Sequence, residues 1–92
     1  MAARARILEG ASLLAVERWD EAEESLRLAI GIAERIAHPR AVWIAEGHLA
    51  ELMRRRGRSA DEQRHRARRH ALIEAAAATI SSPDLRRRLL QG

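Results

Sequence analysis

The chain contains no cysteine, lysine, phenylalanine or tyrosine, and only two prolines and two tryptophans, Trp19 and Trp43, among 92 residues. Without cysteine there are no disulfides and no thiolate zinc sites, so nothing in the sequence requires an oxidising compartment. No stretch approaches the roughly 20 apolar residues of a membrane-spanning helix. The basic start at Arg4 and Arg6 leads into apolar runs that Glu9 and Glu17 interrupt, too soon for the apolar region of a signal peptide. A soluble, cytoplasmic protein without membrane contact is the expectation.

What fills the chain instead is alanine, at 19 positions, and arginine, which supplies all 17 basic residues. Ala, Leu, Arg and Glu are the strongest helix formers, so the composition predicts an all-α fold with a thin, closely spaced core. At this length a single core only marginally outweighs chain entropy, which leaves open a partner or a longer parent chain. Arginine used everywhere, not at selected sites, reads more simply as the codon bias of a GC-rich bacterial genome than as selection for its bidentate fork. The charge is uneven: residues 1–51 carry six Arg and nine acids, net −3, and residues 52–92 carry eleven Arg and four acids, net +7.

Apolar periodicity predicts five helices. The first runs from about Ala2 to Val16 on Ile7, Leu13 and Leu14, with Gly10 as a flat spot for close approach of a neighbour. The second, capped by Asp20 with Glu23 as capping-box partner, runs to about Ala37; Ala22, Leu26, Ala29, Ile30, Ala33 and Ala37 form one row and Leu28, Ile32 and Ile36 another, as if it packed between neighbours. His38-Pro39 ends it and opens a third helix to about Arg56, with Val42, Ala45, Leu49, Leu52 and Met53 inward, Ile44 to one side and Gly47 as a second flat spot. Gly57 stops that helix. Ser59 caps a fourth, continuing to Ile80 with Ala67, Ala71, Leu72, Ala75, Ala78 and Thr79 inward, and Ser82 caps a short last helix from Pro83 to Leu90 on Leu85, Leu89 and Leu90.

Two turn sequences read alike at an offset of forty residues, Glu17-Arg18-Trp19-Asp20-Glu21-Ala22 and Gly57-Arg58-Ser59-Ala60-Asp61-Glu62. A period of 20 to 50 residues marks a repeat protein, whose units cover one another's apolar faces. With Gly10, Leu13, the turn at Glu17, then Ala22, Leu26 and Ala29, the first copy resembles a tetratricopeptide repeat, and Leu49, Ala50, Met53 and Gly57 fit the second. The second copy then departs, placing Glu62, Arg66 and Arg69 where small and large apolar residues are usual, which implies a register shift or an end to standard stacking. The spacing also exceeds the family's usual thirty-four. The resemblance implies an α-solenoid segment: a first hairpin over 1–38, a second over 39–80 and a capping helix over 82–90 of a single domain. The run Gly57 to Glu62, then Ala71-Leu72-Ile73-Glu74, then Ser82-Pro83-Asp84-Leu85-Arg86 and Leu89 is similar to the closing repeat of bacterial multidomain regulators built around an ATPase module, sometimes beside a nucleotide cyclase or a DNA-binding domain. No P-loop, cyclase segment or helix-turn-helix reader is present, so no catalytic residue or cofactor carries over and the implied role is that of a non-catalytic protein-interaction or assembly scaffold.

The residues give little support to catalysis or metal binding. None of the pairs among His38, His48, His65 and His70 has the i, i+4 spacing that sets two imidazoles on one helical face, and surface or helix-end histidines are the simpler reading. Glu21, Glu23 and Glu24 sit at a helix start, where the helix dipole alone explains them. Tetratricopeptide-like proteins bind on the concave surface made by the first helix of each hairpin, which would place a protein-binding groove at Arg40, Trp43, Glu46, Gly47, Ala50 and Arg54; Trp19 reads as a plug over helix ends. The competing reading is a basic surface for nucleic acid within Arg54 to His70, through Arg55, Arg56, Arg58, Arg64, Arg66, Arg68 and Arg69. No aromatic stands among them to stack a base, and a solvated helix whose arginines pair with the acidic second helix explains the same run. Contact with neighbouring repeats and self-association are the remaining options for a partner.

Overall fold

The computed structural model describes residues 2–79 and 83–91. They form five helices, α1 (Ala2–Ala15), α2 (Trp19–Arg35), α3 (Pro39–Arg55), α4 (Ser59–Ala77) and α5 (Pro83–Gln91), with no strand among the described residues. The broadest interfaces join α1 to α2 and α3 to α4; α2 also packs on α3, α1 touches α3 along a narrower strip, and among the described residues α5 meets only α4. None of the described helices is long and apolar enough to cross a membrane. The expected end of the fourth helix at Ile80, the Ser82 cap and the inward side chains of Leu85 and Leu89 lie outside what is described.

The three turns joining α1 to α4 share one backbone solution at a spacing of twenty residues. Glu17, Ala37 and Gly57 each adopt positive φ, at 63°, 52° and 73°. The amide after each reaches back to the helix: Arg18 N–H donates to the Leu13 carbonyl at 2.9 Å, His38 to Ala33 at 2.8 Å and Arg58 to Met53 at 2.9 Å. A shorter-range bond closes each turn, from Glu17 to Leu14, Ala37 to Glu34 and Gly57 to Arg54. This is the Schellman motif, which satisfies the last carbonyls of a helix and reverses the chain without a loop. The forty-residue echo is therefore two twenty-residue helix-and-turn steps, and only the third turn uses the glycine that suits a left-handed residue.

The helix starts differ from expectation. Asp20 does not cap α2 and Ser59 does not cap α4: the capping positions fall on Arg18 and Arg58, neither of which makes a side-chain cap. The tight turn admits no residue between the left-handed position and the helix except that one, so Asp20 and Ser59 are already inside. His38 is the exception, its Nδ1 accepting from the Ala41 amide at 3.2 Å ahead of Pro39 in the first turn.

The core runs through α1, α2 and α3. Ile7 and Leu14 of α1, Leu26 and the alanines Ala22, Ala29 and Ala33 of α2, and Val42, Ala45, Leu49, Leu52 and Met53 of α3 are buried, with Leu13, Trp19, Ile32 and Leu72 packed against them. Gly10 lets α2 approach: a Cβ there would stand 2.7 Å from Leu26 Cγ. Ala37 is exposed as the left-handed residue, and Leu28 and Ile36 lie on the open side of α2, so its second apolar row is covered only at Ile32. In α4 the inward face is His65, Ile73 and Ala77 with Leu72 partly covered, whereas Ala67, Ala71 and Ala75, and Ala78 and Thr79 in the turn just past its end, are exposed. Alanine cannot orient a helix against bulkier side chains, and Leu72 and Ile73 set the register.

Candidate binding surfaces

A cleft of about 550 Å³ opens where α1 and α3 lie side by side. Its floor is Ile7 and Ala41 and its apolar rims are Leu8 and Ile44, which are 60% and 37% exposed. Arg4 from α1, Arg40 from α3, and His38 and His48 supply its polar groups; no carboxylate lines it. His48 is half-buried there, and the loss of hydration holds its imidazole pKa below the ordinary value, favouring the neutral form.

The cleft gains its character from what the other arginines do. Arg6 pairs with Glu9, Arg18 with Glu21, Arg27 with Glu23, and Arg54 and Arg55 both with Glu51. The two guanidiniums donating to Glu51 pull its carboxyl pKa down to about 2, and Glu51 in turn raises that of Arg54. Arg4 and Arg40 have no carboxylate within ion-pair distance among the described residues.

Six of the seven arginines of the expected basic surface are engaged within the chain. Arg56 meets Asp20 at 3.0 Å and Glu23 at 3.5 Å, and Arg68 meets Glu34 at 2.8 Å, so these pairs tie the second hairpin to α2. Arg55 joins Glu51, Arg58 and Arg64 share Asp61, and Arg66 joins Glu62. Arg69 lays its stem over Gly47, where a Cβ would meet its Nε at 3.2 Å. These contacts leave little unpaired positive charge on α4.

Of the groove residues expected on α3, Arg40 lines the cleft and Arg54 is exposed but held by Glu51. Trp43 is partly buried and does not line the cleft, Gly47 faces Arg69 of α4, and Ala50 and Glu46 are buried. The helix turns these four away from the cleft, so of the expected stripe only Arg40 lies in it. Reading Arg4 and Leu8 at the forty-residue offset, where they fall on Ile44 and His48, is the signal that would have located the cleft.

The histidines also part from the surface reading. His38 is a cap and His70 an exposed residue whose Nε2 meets Glu74 at 2.8 Å, but His48 is half-buried and His65 is in the interior. His65 Nδ1 lies 2.5 Å from Oε2 of Glu46, a carboxylate only 2% exposed, and Arg68 Nε is 3.4 Å from its other oxygen. His65 Nε2 is buried without a partner, as is Nε1 of Trp19, which packs on the core as a plug. Among the described residues no group of three or more His, Asp or Glu is placed to hold a metal ion. Compared with known proteins, the chain matches no family model, no curated protein and no solved structure.

Proposed function

We propose that this chain is a non-catalytic interaction segment, a tetratricopeptide-like hairpin array, that seats an extended, acidic stretch of a protein partner in the α1–α3 cleft. The observation that carries this reading is the conjunction of two arginines without an ion-pair partner among the described residues, Arg4 and Arg40, with two exposed apolar side chains, Leu8 and Ile44, in a cleft whose lining holds no carboxylate. Acidic groups of a partner would meet the guanidiniums and its apolar side chains would cover the rims. Support for an array comes from the repeated twenty-residue step and from α3 packing on both α1 and α2, so that each hairpin covers part of the other's apolar face. A place among the closing repeats of a larger bacterial regulator is what the resemblance adds.

The test is an amide chemical-shift titration with two extended peptides that share leucine spacing and differ in having Glu or Lys between the leucines. The acidic peptide is expected to shift α1 and α3 residues around Arg4, Leu8, Arg40 and Ile44 and the basic one to leave them unmoved. Equal shifts from both, or shifts centred on α4, would remove the basis of the proposal. Sub-micromolar, strongly salt-dependent binding of random duplex DNA would favour the nucleic-acid reading instead.

A further inference from the structure

Two tight reversals separate α1 from α3, so the two helices run the same way along the cleft and its lining groups fall in order. Arg4 on α1 is followed one turn later by Leu8, and Arg40 on α3 is followed at the same interval by Ile44 and then His48. The basic groups therefore gather at one end, with His38 just ahead of α3, and the exposed apolar pair Leu8 and Ile44 comes next. His38 adds a fixed donor to the basic end: its Nδ1 accepts from the Ala41 amide, which leaves the proton of the neutral ring on Nε2. His48 closes the far end. Half-buried, and kept neutral by the loss of hydration, it offers no charge there to a second acidic group near neutral pH.

The step from the basic to the apolar groups is one helical turn on both walls. Four residues of helix rise about 6 Å, and side chains on one face of an extended strand recur at every second residue, about 6.6 Å apart. An extended segment lying along the cleft thus sets residues i and i+2 over the basic and the apolar groups, while i+1 points away. A helix also repeats at about 6 Å, but it docks through a row of anchors spanning two turns or more. Here a single exposed apolar pair is on offer, bounded on α3 by His48.

We infer that the cleft recognises a short register in its partner: one acidic and one bulky apolar side chain separated by a single residue, the acid at the Arg4 and Arg40 end and the apolar group over Leu8 and Ile44. This rests on the reading of the cleft as the seat of an extended acidic segment and adds spacing and polarity to it. Charge alone would accept any acidic chain, whereas a wrong interval leaves either the acid away from the guanidiniums or the apolar rims uncovered. A second acid two residues beyond the apolar group falls at His48 and adds little.

The experiment is an amide chemical-shift titration of the whole chain near pH 7.5 with short Gly-Ser peptides carrying one Glu at position i and one Leu at i+1, i+2, i+3 or i+4, each beside a control with Gln in place of Glu. The expected result is tightest binding at i+2, at least fivefold over i+1 and i+3, with the shifts centred on α1 and α3. The Arg4→Gln/Arg40→Gln variant, changed at two exposed positions, is expected to lose that preference, and Arg55→Gln, on α3 but outside the cleft, to keep it. Glu peptides that exceed their Gln controls equally at every spacing would overturn the register while leaving an acid-selecting cleft in place, and a maximum at i+3 or i+4 would overturn it in favour of a helical partner. Glu peptides no tighter than their controls at any spacing would remove the cleft reading itself.

Discussion

Ala37 holds a left-handed backbone conformation that alanine adopts only at a cost, and Glu17 does the same one helix earlier. The cost is borne because the following amide closes the turn, and it can be relieved by one substitution: Ala37→Gly is expected to raise stability by about 1 kcal/mol in urea unfolding, and Gly57→Ala to lower it by about the same. The buried pair behaves differently. Removing one partner, as in His65→Ala, leaves the buried Glu46 carboxylate with only the more distant Arg68 and should cost about 3 kcal/mol, whereas Glu46→Met with His65→Leu together should come out near neutral. A double variant as damaged as the single one would contradict that account. His48 supplies a pH dependence. Its folded pKa lies below the ordinary 6.5 because burial disfavours the cation, so the unfolded chain takes up the proton first and stability falls as pH drops below about 6.5. His48→Gln should flatten the stability curve between pH 7.5 and 5.5, measured by urea midpoints.

Among the elements, α1 and α2 show what a glycine can do for helix packing. Adding a methyl group at Gly10 drives it into Leu26, fully buried on the facing helix, and the overpacking outweighs the gain in helix propensity; Gly10→Ala is expected to cost about 1 kcal/mol net. Gly31 sits in α2 with open space around it, so Gly31→Ala should stabilise by up to about 1 kcal/mol. Thermal melts of the two variants check the pair, and equal effects would show that packing does not separate the sites. The helices themselves were legible in the sequence because Pro39, Gly57 and the leucine and isoleucine spacing mark their limits. The face of α4 was not, because alanines at 67, 71, 75 and 78 form a regular row without the bulk to compete with Leu72 and Ile73. Caps at Asp20 and Ser59 were misplaced for a related reason: a Schellman turn consumes the residue that a capping box would use.

At the scale of the whole molecule, the twenty-residue step explains why a chain with so thin a core can hold together. The helices α1, α2 and α3 each reverse into the next without a loop, alanines bring the helices close, and Arg56 and Arg68 join the basic second half to the acidic α2. That pairing was visible in the charge asymmetry of the two halves. The cleft was only half visible, through Arg40, because the participation of Arg4 and Leu8 depends on how closely α1 and α3 approach, which no periodicity encodes. The central claim is that this cleft selects an acidic partner through Arg4 and Arg40. A calorimetric comparison of the chain with its Arg4→Glu/Arg40→Glu variant, each titrated with the acidic and the basic leucine-spaced peptide, tests it most directly. The account predicts that the double reversal weakens the acidic peptide at least tenfold, about 1.4 kcal/mol, and transfers preference to the basic one. An unchanged affinity for the acidic peptide in a variant whose helical circular dichroism is intact would contradict it.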